Sequence, residues 1–236
     1  MVIPPNNVRT AYESFLAAFQ RAAEQAGHSV KAADRPIQSL FSKVAGDKAA
    51  FEHCLYLEKW PSRRLGATKR LDVAVKALEE FSTEPQWMLI KSTVYLNYIL
   101  VSDSKGQLVQ ALHYDFDGKS VPITPHPLFH VQLHHDFIPV DELRSANSAF
   151  DLELIEPSAD DECLGTTRIP TPDMTFTSVL YCLVADHLAT PIFKEFSEEV
   201  CPILRDRIAP PNFDSIKKSM GESPEHFKSS HWFGHI

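Results

Sequence analysis

The sequence predicts an α+β fold: an antiparallel β-meander of four to five strands packed with N-terminal helices and a buried C-terminal helical region. Three observations predict it. Apolar residues recur at helical spacing from Val8 to Ala23, the apolar period drops to two after Trp87, and a largely apolar helix follows Pro172. One domain over residues 1–236 accommodates them, helical over 1–50, mainly β over 51–156 and helical again over 168–236.

Asn6 or Asn7 caps the first helix, and Val8, Tyr12, Phe15, Leu16, Phe19 and Ala23 form its apolar stripe. Gly27 stops it. A second, shorter helix begins at Pro36, with Ile37, Leu40, Phe41 and Val44 on one stripe and Gly46 at its end. From Phe51 to Trp60 the apolar residues alternate as in a strand, which Pro61 ends. Thr68 then caps a helix running to about Phe81, with Leu71, Val75 and Leu78 inward.

After Trp87, Val94, Leu96, Tyr98 and Leu100 share one face of a strand. Asp103 to Gly106 makes a turn with Gly106 at a positive φ. The returning strand sorts Leu108, Gln110, Leu112, Tyr114 and Phe116 to one face, and Val109, Ala111, His113, Asp115 and Asp117 to the other. A proline-rich connection leads to a histidine-rich strand, and Phe150 to Ile155 forms one more. Residues 156–162 make an acidic surface loop. Thr171 as cap, Pro172 at the first helical position and Asp173 in the first turn start a buried helix that runs to about Leu188. A last helix starts near Pro191, and Pro202 kinks or ends it.

Composition narrows the function classes. The chain has 236 residues, a net charge of −8 with neutral histidines, and 44% hydrophobic residues. That balance excludes a whole-surface nucleic-acid footprint and leaves only a local basic patch. Cys54, Cys163, Cys182 and Cys201 form no Cys-x-x-Cys pair, which excludes a zinc-finger pattern and suits a reducing compartment. No apolar run approaches the roughly 20 residues of a membrane span, and no signal peptide is visible, so a cytoplasmic protein without a membrane partner is expected. Gly-x-Gly-x-x-Gly, Gly-Lys-Ser/Thr, Gly-x-Ser-x-Gly and His-Glu-x-x-His are all missing.

Three constellations can carry chemistry. In the strand Phe129–Asp136, His130, His134 and Asp136 share the face opposite Phe129, Val131 and Leu133. If this strand pairs with the one before it, His113 and Asp115 join that face, with cross-strand neighbours about 5 Å apart. Two imidazoles and a carboxylate there would serve as general acid and base, or hold a divalent transition metal; a hydrogen-bonded structural face is the third reading. Arg63, Arg64, Lys69 and Arg70 form a basic segment suited to a phosphate, or to a solvated surface. Trp232 and Phe233 near the end of the sequence either dock on the core or contact a partner.

The order of a glycine-tipped hairpin, a Tyr114-Asp115 strand end and a histidine-rich strand resembles small bacterial toxin-type proteins. The resemblance implies no role for any residue. The sequence-level expectation is therefore a non-catalytic subunit or regulator of a larger assembly, with a protein partner or a second copy bound. The alternative is a nuclease-like or toxin-like enzyme working from the histidine strand on phosphodiesters.

Overall fold

The computed structural model describes residues 6–32, 40–43, 46–61, 70–84, 87–117, 129–134, 137–155, 168–170 and 175–206. Helix α1 (Asn6–Gln25) buries Val8, Ala11, Tyr12, Phe15, Ala18, Phe19, Ala22 and Ala23, the three-and-four spacing expected of one helix face. It closes on Gly27 at φ +80°, where His28 N–H bonds Ala23 O and Gly27 N–H bonds Glu24 O. These are the paired bonds of a Schellman cap, which a left-handed glycine permits.

Strands β1 (Ser29–Ala32), β2 (Phe41–Lys43), β3 (Lys48–Trp60), β4 (Arg70–Ser82), β5 (Met88–Ser102), β6 (Lys105–Asp117) and β7 (Phe129–His134) follow. Then come α2 (Val140–Ala146), β8 (Glu153–Ile155), β9 (Arg168–Pro170), α3 (Phe176–His187) and α4 (Thr190–Asp206). The architecture is α+β, with a mostly antiparallel sheet in the order β1-β3-β4-β5-β6-β7-β9. β2 also pairs with β3, and β8 adds the one parallel pairing, to β6, among the described strands. The meander is therefore larger than four to five strands: β3 to β6 are its long members, and short strands line both edges.

One side of the sheet carries α1, α3 and α4 over the main core of Phe51, Leu55, Leu57, Trp60, Val73, Val75, Phe81, Val94, Leu96 and Phe116. The other side carries α2 over a smaller core of Tyr56, Ala74, Ile99, Val101, Ile138, Leu143 and Phe150.

Several expected elements are different. The helix expected from Thr68 to Phe81 is strand β4. Leu71, Val73, Val75, Ala77, Glu79 and Phe81 face one core while Asp72, Ala74 and Lys76 face the other side, so most of the strand is buried on both faces and its apolar residues fit a helical spacing as well as an extended one. Phe41, assigned to a second helix, opens β2, and its ring packs on Tyr12, Phe51 and Trp87; residues 36–39 and Val44 lie outside the described residues. Helical structure in residues 1–50 is thus α1 among the described residues.

The β5–β6 turn has its positive φ at Asp103 (+55°), not at Gly106. Gly106 is needed for another reason. A Cβ there would stand 2.9 Å from Ile99 Cγ2 and 3.0 Å from Leu154 Cδ2, so glycine lets β8 close on β6. Pro202 lies inside α4 and does not end it. Helix α3 begins at Phe176, with Thr175 as its cap residue; Thr171, Pro172 and Asp173, expected to start it, lie outside the described residues. No helix is long and apolar enough to cross a membrane among the described residues.

Candidate functional site

The antiparallel register fixes which side chains meet. On the α2 side, Cys54, Lys76, Tyr95, His113 and Gln132 form one cross-strand row over β3 to β7. The next row is Glu52, Leu78, Thr93, Asp115 and His130. In the other direction the row is Tyr56, Ala74, Asn97, Ala111 and His134, and there α2 and its flanks take over. Ile138 N–H bonds Asn97 Oδ1 at 2.7 Å, which ties the chain before α2 down at this row. The face is thus divided into an apolar half under α2 and a polar half beside it.

The polar half is ordered by aromatic stacking and hydrogen bonds. The His113 ring lies flat on Tyr95, with centroids 4.5 Å apart and planes 12° apart. Its Nε2 is 3.1 Å from Asp115 Oδ1, and Thr93 donates its hydroxyl to the same oxygen at 2.8 Å. The side chains of His113 and Asp115 are 18% and 27% exposed, while the His113 Nε2 atom itself is buried against the sheet. A stacked imidazole paired to a fixed carboxylate is held in one orientation, as an acid–base group or a directional hydrogen-bonding group must be.

Lys76 closes the row on the α2 side. Its Nζ lies 2.7 Å from both carboxyl oxygens of Glu142 and 3.7 Å from Glu52. Burial acts to lower this ammonium, but the bond and charge of Glu142, with Glu52, outweigh it and hold it above the ordinary lysine value. The neighbouring Cys54 thiol is pushed up to about 12 by burial, with Glu142 adding to the shift, so it is a neutral packing group and no nucleophile at pH 7.

The histidine strand pairs as its pattern anticipates. His130 stands opposite Asp115, and His134 opposite Ala111. Asp136 and the side chains of His130 and His134 lie outside the described residues. The carboxylate that the structure does bring to His113 is Asp115, and the groups that complete its surroundings are Thr93 and Tyr95. Period-two alternation already put Thr93 and Tyr95 opposite Val94 and Leu96, but only the β5–β6 register brings them beside His113. Among the described residues, no group of three His, Cys, Asp or Glu side chains is placed to hold a metal ion.

Of the basic segment, Arg63, Arg64 and Lys69 lie outside the described residues. Arg70 donates to Asp72 Oδ2 at 2.7 Å. Asp72 is fully buried and also accepts the Tyr56 hydroxyl at 2.6 Å and Lys59 N–H at 2.9 Å. Lys59 sits at φ +56° in the β-bulge of β3, so Asp72 holds that strained turn in place. The Arg70–Val101 rung is eight residues along β4 from the Leu78–Thr93 rung, about 26 Å at strand rise. Arg70 is therefore remote from the histidine row. Trp232 and Phe233 lie outside the described residues.

Fold and site together define an α+β protein with a helix-backed, mostly antiparallel sheet whose opposite face keeps a half-exposed polar patch. Comparison with protein-family models, with curated proteins and with solved structures gave no match.

Proposed function

We propose that the protein is a non-catalytic binding subunit or regulator, and that its recognition surface is the polar half of the α2-side face, centred on Tyr95, His113, Asp115 and Thr93. The division of that face carries the reading. Buried charges elsewhere are committed to the fold: Asp72 holds the β3 bulge, and Glu79 holds three donors of the main core. On the polar half His113 and Asp115 remain partly exposed over the buried Thr93, as contacts to a partner must be. Charge supports a protein partner or a second copy over nucleic acid. Glu52, Glu142 and Asp115 surround the row, and its cation Lys76 is already taken by Glu142. Trp232 and Phe233 are proposed as further partner contacts, and a cytoplasmic location is proposed with them.

Sedimentation velocity tests this reading, together with co-purification of bound chains, on wild type, on a His113→Ala/Asp115→Asn double variant and on a Ser230–Ile236 deletion. Expected is an assembly in wild type that is weakened in both variants while far-ultraviolet circular dichroism is unchanged. A strictly monomeric wild type with no bound chain would overturn it.

One observation favours an acid–base enzyme as the second reading: His113 is stacked on Tyr95 and lies beside a carboxylate, with its side chain partly exposed. For phosphodiesters this enzyme would need a cation beside the row other than Lys76, and Arg70 lies six residues along β4 from the Lys76 rung, about 20 Å at strand rise. Cleavage assays on RNA and DNA with His113→Ala, His130→Ala and His134→Ala decide the matter; activity absent in wild type, or unchanged in all three, ends that reading.

A further inference from the structure

The start of α3 rests on two buried titratable side chains that the proposed surface does not use. Glu79 of β4 has its carboxylate in the main core, where it accepts Phe176 N–H at 3.0 Å, the Tyr12 hydroxyl at 2.5 Å and the Ser92 hydroxyl at 3.2 Å. Phe176 is the first residue of α3, so Glu79 both satisfies one of its unpaired N–H groups and places a carboxyl at the positive end of the helix. The ring of the same Phe176 covers His53 of β3 edge-on at 5.9 Å and packs on Phe51 at 5.6 Å. The groups facing this spot are Tyr12 from α1, His53 from β3, Glu79 from β4, Ser92 from β5 and the Phe176 N–H from α3. One residue therefore sits on both titratable groups, and lifting it hydrates both.

We propose that the N-terminus of α3 is a proton-controlled latch, with His53 and Glu79 as its two titrating arms. The arms act in opposite directions. Burial holds the His53 imidazole at about 4, below its ordinary 6.5, so the closed state resists a proton that the open state accepts. The His53 contribution to closure is thus at full strength above pH 6.5 and is lost as pH falls from there towards 4. Glu79 is pushed up by burial, against the bonds from Tyr12, Phe176 and Ser92. Its ionised form therefore favours opening at high pH, and that cost fades as pH falls towards the ordinary carboxyl range. The latch is tightest between the two arms. Its place matters to the polar face, because β9, which pairs with β7 of the histidine row, ends at Pro170 shortly before α3 begins.

Hydrogen exchange of the full chain, read on peptides covering 176–187 and corrected for intrinsic rates, tests the latch between pH 4.5 and 7.5. The Glu79 arm is common to wild type and to His53→Phe, so their difference isolates the imidazole. At pH 5 the α3 amides of wild type should open about thirty-fold more often than those of His53→Phe, the ratio set by shifting one proton site from 6.5 to about 4. At pH 7.5 the two should coincide. Superimposable profiles at all pH values overturn the latch, and so does a difference spread equally over β3 to β6, which would mark global unfolding. Should His53→Phe fail to fold, His53→Gln serves as the second variant. The imidazole titration of wild type by nuclear magnetic resonance is a further check: a His53 that titrates near 6.5 in the folded protein overturns the proposal.

Discussion

Glu79 and Asp115 are carboxylates on β4 and β6, the two strands that flank β5, and they do opposite work. Glu79 faces the helices, is fully enclosed, and accepts bonds from α1, β5 and α3. Asp115 faces the other way, keeps 27% of its side chain exposed, and orients a histidine. The difference is coverage. Three helices seal one side of the sheet, whereas α2, with seven residues, covers only part of the other. A carboxylate without water must be saturated by donors or neutralised, while one at a covered edge can hold a partner and still meet solvent.

Truncation on the sealed side should have the largest effect. Phe51 touches Tyr12, Phe41 and Phe176, and Phe51→Ala should cost about 3–5 kcal/mol in urea unfolding. On the α2 side, Asp72→Ala leaves the Tyr56 hydroxyl and Lys59 N–H without their acceptor; a loss of about 2–3 kcal/mol is expected from the same measurement. If the α2-side change cost more than the core truncation, the contrast between the two sides would fail.

Exchanging the two carboxylates for amides sharpens the comparison. Glu79→Gln keeps an acceptor for Phe176 N–H and removes a charge whose folded-state value is raised by burial. Because burial raises the folded-state value, ionised Glu79 costs stability increasingly from the ordinary carboxyl value upward, so the stability gained by Glu79→Gln should grow as pH rises above 5, and a flat difference would contradict the burial argument. Asp115→Asn should leave stability within about 1 kcal/mol, because this pair is partly exposed, and should weaken association instead. The smallest effect is expected at Lys76→Met. Its partner Glu142 is 30% exposed and the methionine stem still packs, so thermal unfolding should report less than about 1 kcal/mol.

The legible parts of the fold were those where the apolar residues fit one period only. Helix α1 carries a single stripe, and β5 and β6 alternate cleanly, so both could be read residue by residue. β4 could not. Leu71, Val75 and Leu78 satisfy a helical spacing as well as Leu71, Val73 and Val75 satisfy an extended one. The same ambiguity hid β2, which is three residues long and exists by pairing with Phe51 and its neighbours. At the candidate site the histidine strand and His113 were visible as residues in register, and the pairing of β6 with β7 follows that pattern. The partners of His113 were harder to see, since Thr93 and Tyr95 come from a strand whose register is set by a turn at Asp103 and a bulge near Val109.

By itself the sequence determined the α+β class, the first helix and the β5–β6 hairpin. These follow from local periodicity, which the chain carries wherever it goes. Only the tertiary structure decided that residues 70–82 are a central strand, that Arg70 serves Asp72, and that Asp115 is the carboxylate beside His113. Those outcomes depend on cross-strand register and on which face each helix covers, and both are set by packing between residues far apart in the chain.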